Sequence, residues 1–240
     1  MNPSPYPAPF TSAHGRALTA KILLSVGAVV TGLSLLAESL SLAFPPLTDE
    51  QEFGDNPISA VLMVMIFLIA VLESVIYLAT IVVFLMWLYR ASSNLRAFSP
   101  WNRHDHSPGW AVGSFFIPFV NLVVPYRAVK EVWEKSGLAD EALLSAPKPP
   151  ASFPIWWLFW LLASFAGNIS FRLTFNEKVE ESTATIVSII ASALSILAAV
   201  FAYLVVDAID KRQEDTVAKL RLRDVPGPPP PPANLSMPYS

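Results

Sequence analysis

The sequence contains no cysteine. Disulfides, thiolate metal sites and thiol nucleophiles are therefore excluded, and cysteine usage says nothing about redox compartment. Charge is scarce as well. Only 15% of the 240 residues are Asp, Glu, Lys or Arg, against about 25% in a soluble globular chain. The formal net charge is −3, and no basic patch alternates with aromatics as a strand-binding groove requires, so nucleic acid is not an expected partner. There is no G-x-S-x-G, no H-E-x-x-H and no phosphate-cradling glycine loop. Ordinary hydrolases and kinases are thereby disfavoured; no enzyme is expected, and no catalytic residue or cofactor is assigned.

What is abundant is apolar. Hydrophobic residues make up 53% of the chain and mean hydropathy is +0.48, which places it in the membrane class. Four long apolar runs cover residues 17–44, 58–89, 153–175 and 183–206. A crossing helix needs about 20 predominantly apolar residues. In lipid the backbone must satisfy its own hydrogen bonds, so each run is expected to be helical. The expected fold is thus an all-α membrane protein with four transmembrane helices in a domain spanning residues 17–213. The first run, with Arg16 and Lys21 at its start, resembles a secretory signal. Its apolar stretch exceeds the roughly 7–15 residues of a signal core, so a retained anchor is expected.

Residues 1–16 are proline-rich, and 214–240 are charged and then proline-rich. Both are expected to be disordered cytoplasmic tails. The run of five prolines near the C-terminus has the form of a ligand for an aromatic groove, with a solvated tail as the plainer reading. Asn168-Ile169-Ser170 lies in a span and Asn234-Leu235-Ser236 in a tail, so neither is expected to be glycosylated.

Lysine and arginine set the orientation. Arg90, Arg96, Arg103, Arg127, Lys130, Lys135 and Lys148 all fall between spans two and three, and Lys211, Arg212, Lys219, Arg221 and Arg223 follow span four. The stretch after span one has four acidic residues and no basic one. Basic residues collect on the cytoplasmic side, so four crossings of the cell membrane put both termini and the central region there.

The central region holds one ambiguous stretch, residues 107–136, SPGWAVGSFFIPFVNLVVPYRAVKEVWEKS. From Trp110 to Val124 it is apolar but only about 22 Å long as a helix, against a hydrocarbon core of about 30 Å. Pro118, Asn121 and Pro125 interrupt it. A full crossing would also carry Arg127, Lys130, Lys135 and Lys148 outside. Trp87, Trp101, Trp110, Trp133, Trp156, Trp157 and Trp160 all fall near one boundary in the four-crossing arrangement, as interfacial tryptophans do. The stretch is therefore expected to dip in or lie flat, with its deepest or most irregular point between Pro118 and Asn121. After Pro125, Tyr126, Val129, Val132 and Trp133 recur at helical spacing, with Arg127, Lys130, Glu131, Glu134 and Lys135 largely opposite. This predicts an amphipathic helix at the interface.

WLYRASSNL at 87–95, followed by the 107–136 stretch, closely resembles the bacterial membrane family called domain of unknown function 4328. Trp87, Tyr89, Arg90, Asn94, Ser107, Pro108, Gly109, Trp110, Gly113, Pro118, Asn121, Pro125 and Trp133 carry the match. A second tryptophan is often expected after the Gly113 position, where this chain has Ser114 and Phe115. The resemblance implies a bacterial membrane location and no activity, because the family has none assigned.

Few residues carry chemistry. Glu73, near the middle of span two, is either an ion or proton site or a carboxyl hydrogen-bonded to a neighbouring span. Glu38 and Arg172 are expected to form a structural ion pair at the outer ends of spans one and three, and Asp207 and Arg90 a similar pair at the inner boundary. His104-Asp105-His106 has metal-binding donors, but adjacent residues converge poorly, so no metal is expected. Ala28 and Gly32, and Ser188, Ser192, Ser195 and Ala199, form small-residue faces suited to close helix contact, with homo-oligomerisation as the rival use. The favoured function is a non-enzymatic membrane module that binds a membrane or cytoplasmic protein partner, or lipid of the surrounding bilayer, through the central segment. The alternative is a small transporter or channel using Glu73 and the break around Pro118 and Asn121.

Overall fold

A computed structural model describes residues 10–43, 57–98, 104–137, 148–176 and 178–223. The tail prolines at 1–9 and 224–240, the acidic stretch 44–56, Trp101 and Arg103 lie outside the described residues. The chain is helical: α1 (His14–Ala43), α2 (Pro57–Phe98), α3 (Pro108–Gly113), two 3-10 turns (Ser114–Phe116 and Val120–Leu122), α4 (Val124–Lys135), α5 (Ser152–Thr174) and α6 (Glu181–Arg223). Four of these helices, α1, α2, α5 and α6, are long and apolar enough to cross a membrane.

Local chemistry accounts for the ends. Pro57 opens α2, where a missing N–H costs nothing. Glu181 opens α6 and complements the positive end of its dipole. Within the apolar helices, hydroxyls return to carbonyls one turn back: Ser25 to Lys21, Ser74 to Ala70, Thr80 to Ile76, Ser164 to Trp160 and Ser195 to Ala191, at 2.7–2.8 Å. Each bond satisfies a polar group that lipid could not.

The long helices pack in the order α5 against α6, α6 against α1, and α1 against α2. Small residues permit the approach. The bare α-carbon side of Gly27 faces Ile76, and that of Gly32 faces Ile196. On α6 the buried small residues are Ala191, Ala198 and Ala202, a row beside the expected serines; Ser188 instead turns to α1, and Ser195 is exposed.

The core is concentrated at the end carrying His14, Phe98, Ser152 and Arg223, called basal below. Trp87, Leu88, Leu95, Val129, Val132, Phe153, Val205, Val206 and Ile209 are fully buried there. Toward the distal end the helices expose leucine, valine and phenylalanine over long stretches, including Phe67 to Leu72 of α2. Such faces suit a hydrocarbon surround.

Two helices outrun their expected limits. α6 continues ten residues past Gln213 to Arg223, into the stretch expected to be a disordered tail, and α2 runs on from Tyr89 to Phe98. The reason is a buried stripe that persists after the hydropathy falls: Val205, Val206, Ile209, Gln213, Thr216 and Val217 on α6, and Trp87, Leu88, Ala91, Asn94, Leu95 and Phe98 on α2. At the other end α1 begins at His14, and Ala13 is already buried.

Candidate functional site

The basal end is built around a hydrogen-bonded junction of four chain segments. Asn94 of α2 donates from Nδ2 to Gln213 Oε1 of α6 at 3.1 Å, and its Oδ1 accepts from the Thr11 N–H at 3.4 Å. Gln213 Nε2 donates twice, to the Ala91 carbonyl at 2.9 Å and to Ser136 Oγ at 3.0 Å. Ser136 Oγ in turn donates to the Val132 carbonyl at 2.5 Å, closing α4, and the Ser136 carbonyl accepts from Thr216 Oγ1 at 2.8 Å. Asn94, Ser136 and Gln213 are at most 2% exposed. Buried amides are tolerated only when their donors and acceptors find partners, as these do. Arg90 adds a bond from Nε to the Thr11 carbonyl at 3.2 Å.

The 107–136 stretch is attached to this junction. Ser107 caps α3 by accepting from the Trp110 N–H at 3.1 Å, with Pro108 in the first turn. Serine, proline and tryptophan of the motif thus share one capping geometry. Beyond α3, Phe115 meets Phe84 of α2 and Trp157 and Trp160 of α5, at ring centroid distances of 6.1–6.4 Å. An aromatic therefore fills the seam between α2 and α5. Trp157 Nε1 donates to the Leu122 carbonyl at 3.0 Å.

Between these anchors the chain reverses. The Val120 N–H donates to the Pro118 carbonyl at 2.8 Å, with Phe119 at φ 65° and ψ −39°. That is a γ-turn of the positive-φ kind, rare and strained for a residue with a side chain. The irregular point expected between Pro118 and Asn121 is here. Phe116 and Phe119 project outward, 69% and 85% exposed. Space does not explain glycine at Gly109 or Gly113: an added Cβ would touch nothing at either, and neither has positive φ.

The ends of the stretch are tied to one another. Glu131 of α4 is 6% exposed, not on the solvent side as its helical spacing suggests. Its carboxylate accepts from the Asp105 N–H at 2.7 Å, the His106 N–H at 3.1 Å and Lys135 Nζ at 2.7 Å, while His106 Nδ1 lies 2.5 Å away. Burial pushes this carboxyl up, but the hydrogen bonds from Lys135, His106 and the Asp105 N–H outweigh burial and hold it below its ordinary 4.5. The entry to the stretch is thereby bonded to its exit, since Ser136 lies little more than one turn after Glu131.

The described tryptophans gather at the basal end, where the sequence places them, and most are packed inward. Trp87, Trp133, Trp156 and Trp157 are buried in the basal core, and Trp110 is the one with a largely exposed ring among the described tryptophans. They pack against one another and against Phe84, Phe115, Tyr126 and Phe153.

Among the isolated charges, Glu73 takes one of its two expected forms, hydrogen-bonded to a neighbouring helix, while the two expected ion pairs do not form. Glu73 accepts from Thr31 Oγ1 at 2.9 Å and Ser34 Oγ at 3.2 Å, both on α1. Glu38 accepts from Ser188 Oγ at 2.9 Å rather than pairing with Arg172. Arg172 lies exposed in the last turn of α5, and α1 packs on α6 rather than on α5. Asp207 pairs with Lys21 at 2.9 Å and Lys211 at 2.7 Å, not with Arg90, which reaches Thr11. Beside it Asp210 meets His14 Nδ1 at 2.8 Å. Within the His104-Asp105-His106 run, the Asp105 and His106 N–H groups and the His106 imidazole clamp Glu131.

Sequence reasoning missed Ser136, Gln213, Thr216, Lys21 and Asp210. Gln213 had a legible signal: it follows Ile209 by four residues and so continues the apolar stripe of α6.

The family model of the Domain of unknown function (DUF4328) matches residues 58–211. The chain belongs to this family. The DUF4328 match begins in α2, takes in the whole 107–136 stretch and ends just short of Gln213. Neither the curated proteins nor the solved structures contain a match to the chain. In DUF4328 terms, then, the matched region contains the γ-turn and the Glu131 clamp. The residues that complete the junction from outside it are Thr11, Gln213 and Thr216. The four apolar helices of the chain are compatible with a multi-pass membrane protein.

Proposed function

We propose that the protein is a non-enzymatic docking module of the cell membrane. In this reading the basal end faces the cytoplasm, residues 107–136 form a re-entrant wedge in the inner leaflet, and α4 is an amphipathic plate that presents a surface to a protein partner or to lipid. One observation carries the reading. The two ends of the wedge are bonded together through Glu131, whereas the ends of a crossing segment would stand about 30 Å apart. Phe115, between those ends, reaches Phe84 and Trp160 in the seam of two apolar helices. The strained turn at Phe119 supports it too, because strain of this kind persists where the surroundings impose it.

A pathway through Pro118, Asn121 and Glu73 fits less well. Glu73 lies about 16 Å along α2 from the Phe84 contact, and both its oxygens already take hydroxyls from α1.

The lack of native cysteine supplies the test. Single cysteines replace exposed Asp105 and partly exposed Glu134 on either side of the wedge, and exposed Ser182 at the distal end. In spheroplasts, a membrane-impermeant thiol reagent is expected to label Ser182→Cys at once, and Asp105→Cys and Glu134→Cys only after permeabilisation. Labelling of Asp105→Cys and Glu134→Cys from opposite sides would overturn the wedge. A mild-detergent pulldown with the full chain is then expected to recover one stoichiometric partner, or bound lipid, lost on disrupting α4.

A further inference from the structure

At the distal end, between the last turn of α5 and the first turns of α6, lies a cavity of about 650 Å³ with Glu38 of α1 in its wall. Small-molecule sites fall in the range of about 300–1,000 Å³. Among the described residues, the wall contains two carboxylates, Glu38 and Glu181, and no lysine, arginine or histidine. The surrounding sequence keeps the sign. From Arg172 to Glu181 there are two cations against three carboxylates, and the stretch between α1 and α2 adds four acidic residues and no basic one.

The hydroxyls of the wall have their hydrogens committed. Thr174 Oγ1 donates to the Ser170 carbonyl at 3.0 Å, Thr185 Oγ1 to the Glu181 carbonyl at 3.0 Å, and Ser188 Oγ to Glu38 at 2.9 Å. What each still offers is lone pairs. Glu38, although engaged, remains an acceptor, since a carboxylate has roughly four lone-pair sites. The remaining side-chain donor of the described wall is the Asn176 amide, whose oxygen accepts from the Lys178 N–H at 3.1 Å. A cavity rich in acceptors and short of donors suits a ligand that brings charged N–H groups. Helix ends do not oppose this: the negative end of α5 contributes Leu173 and Thr174, and Glu181 covers the positive end of α6. Leu173, Phe175 and Val179 supply apolar wall, with the Phe175 ring 74% exposed.

We propose that this cavity binds a primary organic ammonium. Its N–H donors meet the carboxylates and hydroxyl oxygens, and its short apolar body lies on Leu173, Phe175 and Val179, where an aromatic face also attracts the cation. The proposal goes beyond the docking reading and does not depend on it, because it concerns the opposite end of the helices. A bare metal ion fits less well, since among the described residues no three metal-binding side chains converge.

The full chain, in neutral detergent micelles, is titrated at constant ionic strength with hexylammonium, with hexyltrimethylammonium, with hexanol and with calcium. Binding is read by calorimetry and by the shift in unfolding temperature. Hexylammonium is expected to bind saturably, and about tenfold or more tightly to the wild type than to the Glu38→Gln/Glu181→Gln double variant. Glu180→Gln, which removes a neighbouring charge outside the described wall, is expected to behave as wild type; an equal loss there would mean general charge attraction and overturn the site. Hexyltrimethylammonium has the charge without the N–H donors and is expected to bind more weakly, so equal affinity overturns the proposal. Equal binding of hexanol, or equal binding by wild type and double variant, overturns it too. Glutamate-dependent calcium binding without ammonium binding assigns the cavity to a metal and has the same consequence. Should the double variant fail to fold, Glu181→Gln alone, at an exposed position, is expected to weaken binding severalfold, and unchanged affinity overturns the site. Each of these outcomes leaves the thiol labelling of the wedge untouched.

Discussion

Gln213 of α6 donates from one amide nitrogen to the Ala91 carbonyl of α2 and to Ser136 Oγ beyond α4. A single side chain thereby joins three helices whose sequence positions are far apart. Gln213→Ala leaves a backbone carbonyl and a hydroxyl buried without this donor, and is expected to destabilise the protein by about 1–3 kcal/mol. Denaturation in micelles measures it. With Asn94→Ala added, the combined loss should fall short of the sum, because both changes break the same bond. Strict additivity would mean that the two amides act separately.

Acid should loosen the 107–136 stretch through Glu131. Its folded-state pKa lies below the ordinary 4.5, so its contribution is fully present above about that pH. The contribution is lost as pH falls through the lower folded value. The difference in unfolding temperature between wild type and Glu131→Gln should therefore be constant near neutrality and shrink below pH 4.5. A difference that grows on acidification would contradict the clamp.

Glu73→Gln is expected to be tolerated. Glutamine retains a carbonyl oxygen to accept from Thr31 or Ser34 without the charge, so folding should change by less than about 1 kcal/mol. Reconstituted vesicles should show the same proton and cation permeability with either residue. Loss of a cation-dependent flux at unchanged stability would restore the transporter reading.

Phe119→Gly isolates the strained turn. Glycine accepts positive φ without steric cost, whereas Phe119→Ala removes the ring and keeps the strain. Because the ring is exposed, the glycine variant is expected to be about 1 kcal/mol more stable in micelles than the alanine variant. Equal unfolding midpoints would mean that the turn costs nothing.

Much of the fold was legible because membrane spans declare themselves by length and hydropathy, and the four long helices follow the four runs. Hydropathy, however, reports where lipid lies rather than where a helix ends. Lys211, Arg212 and Glu214 lower it while Ile209, Gln213, Thr216 and Val217 keep the same face buried, so the basal extension of α6 looks like tail by hydropathy alone. Glu131 misled for the matching reason. Its spacing put it among charged neighbours, and nothing local announced that Asp105 and His106 would fold back upon it. The Glu38–Arg172 and Asp207–Arg90 pairs were inferred from equal depth, but depth along a helix does not say which neighbour stands beside it. Glu73 was readable as a carboxyl hydrogen-bonded to an adjacent span, since few other arrangements suit an acid in an apolar helix.

α6 contains neither glycine nor proline across its 43 residues, so nothing in its sequence provides a hinge. It is tied near the distal end through Ser188, which donates to Glu38 of α1, and at the basal end through Gln213, which donates to the Ala91 carbonyl of α2. A rod about 64 Å long, held in this way, acts as a lever. Because α6 also packs along α5 and α1, displacement of the cationic arm beyond Asp207 is expected to move those neighbours with it, out to the far turn at Ser188.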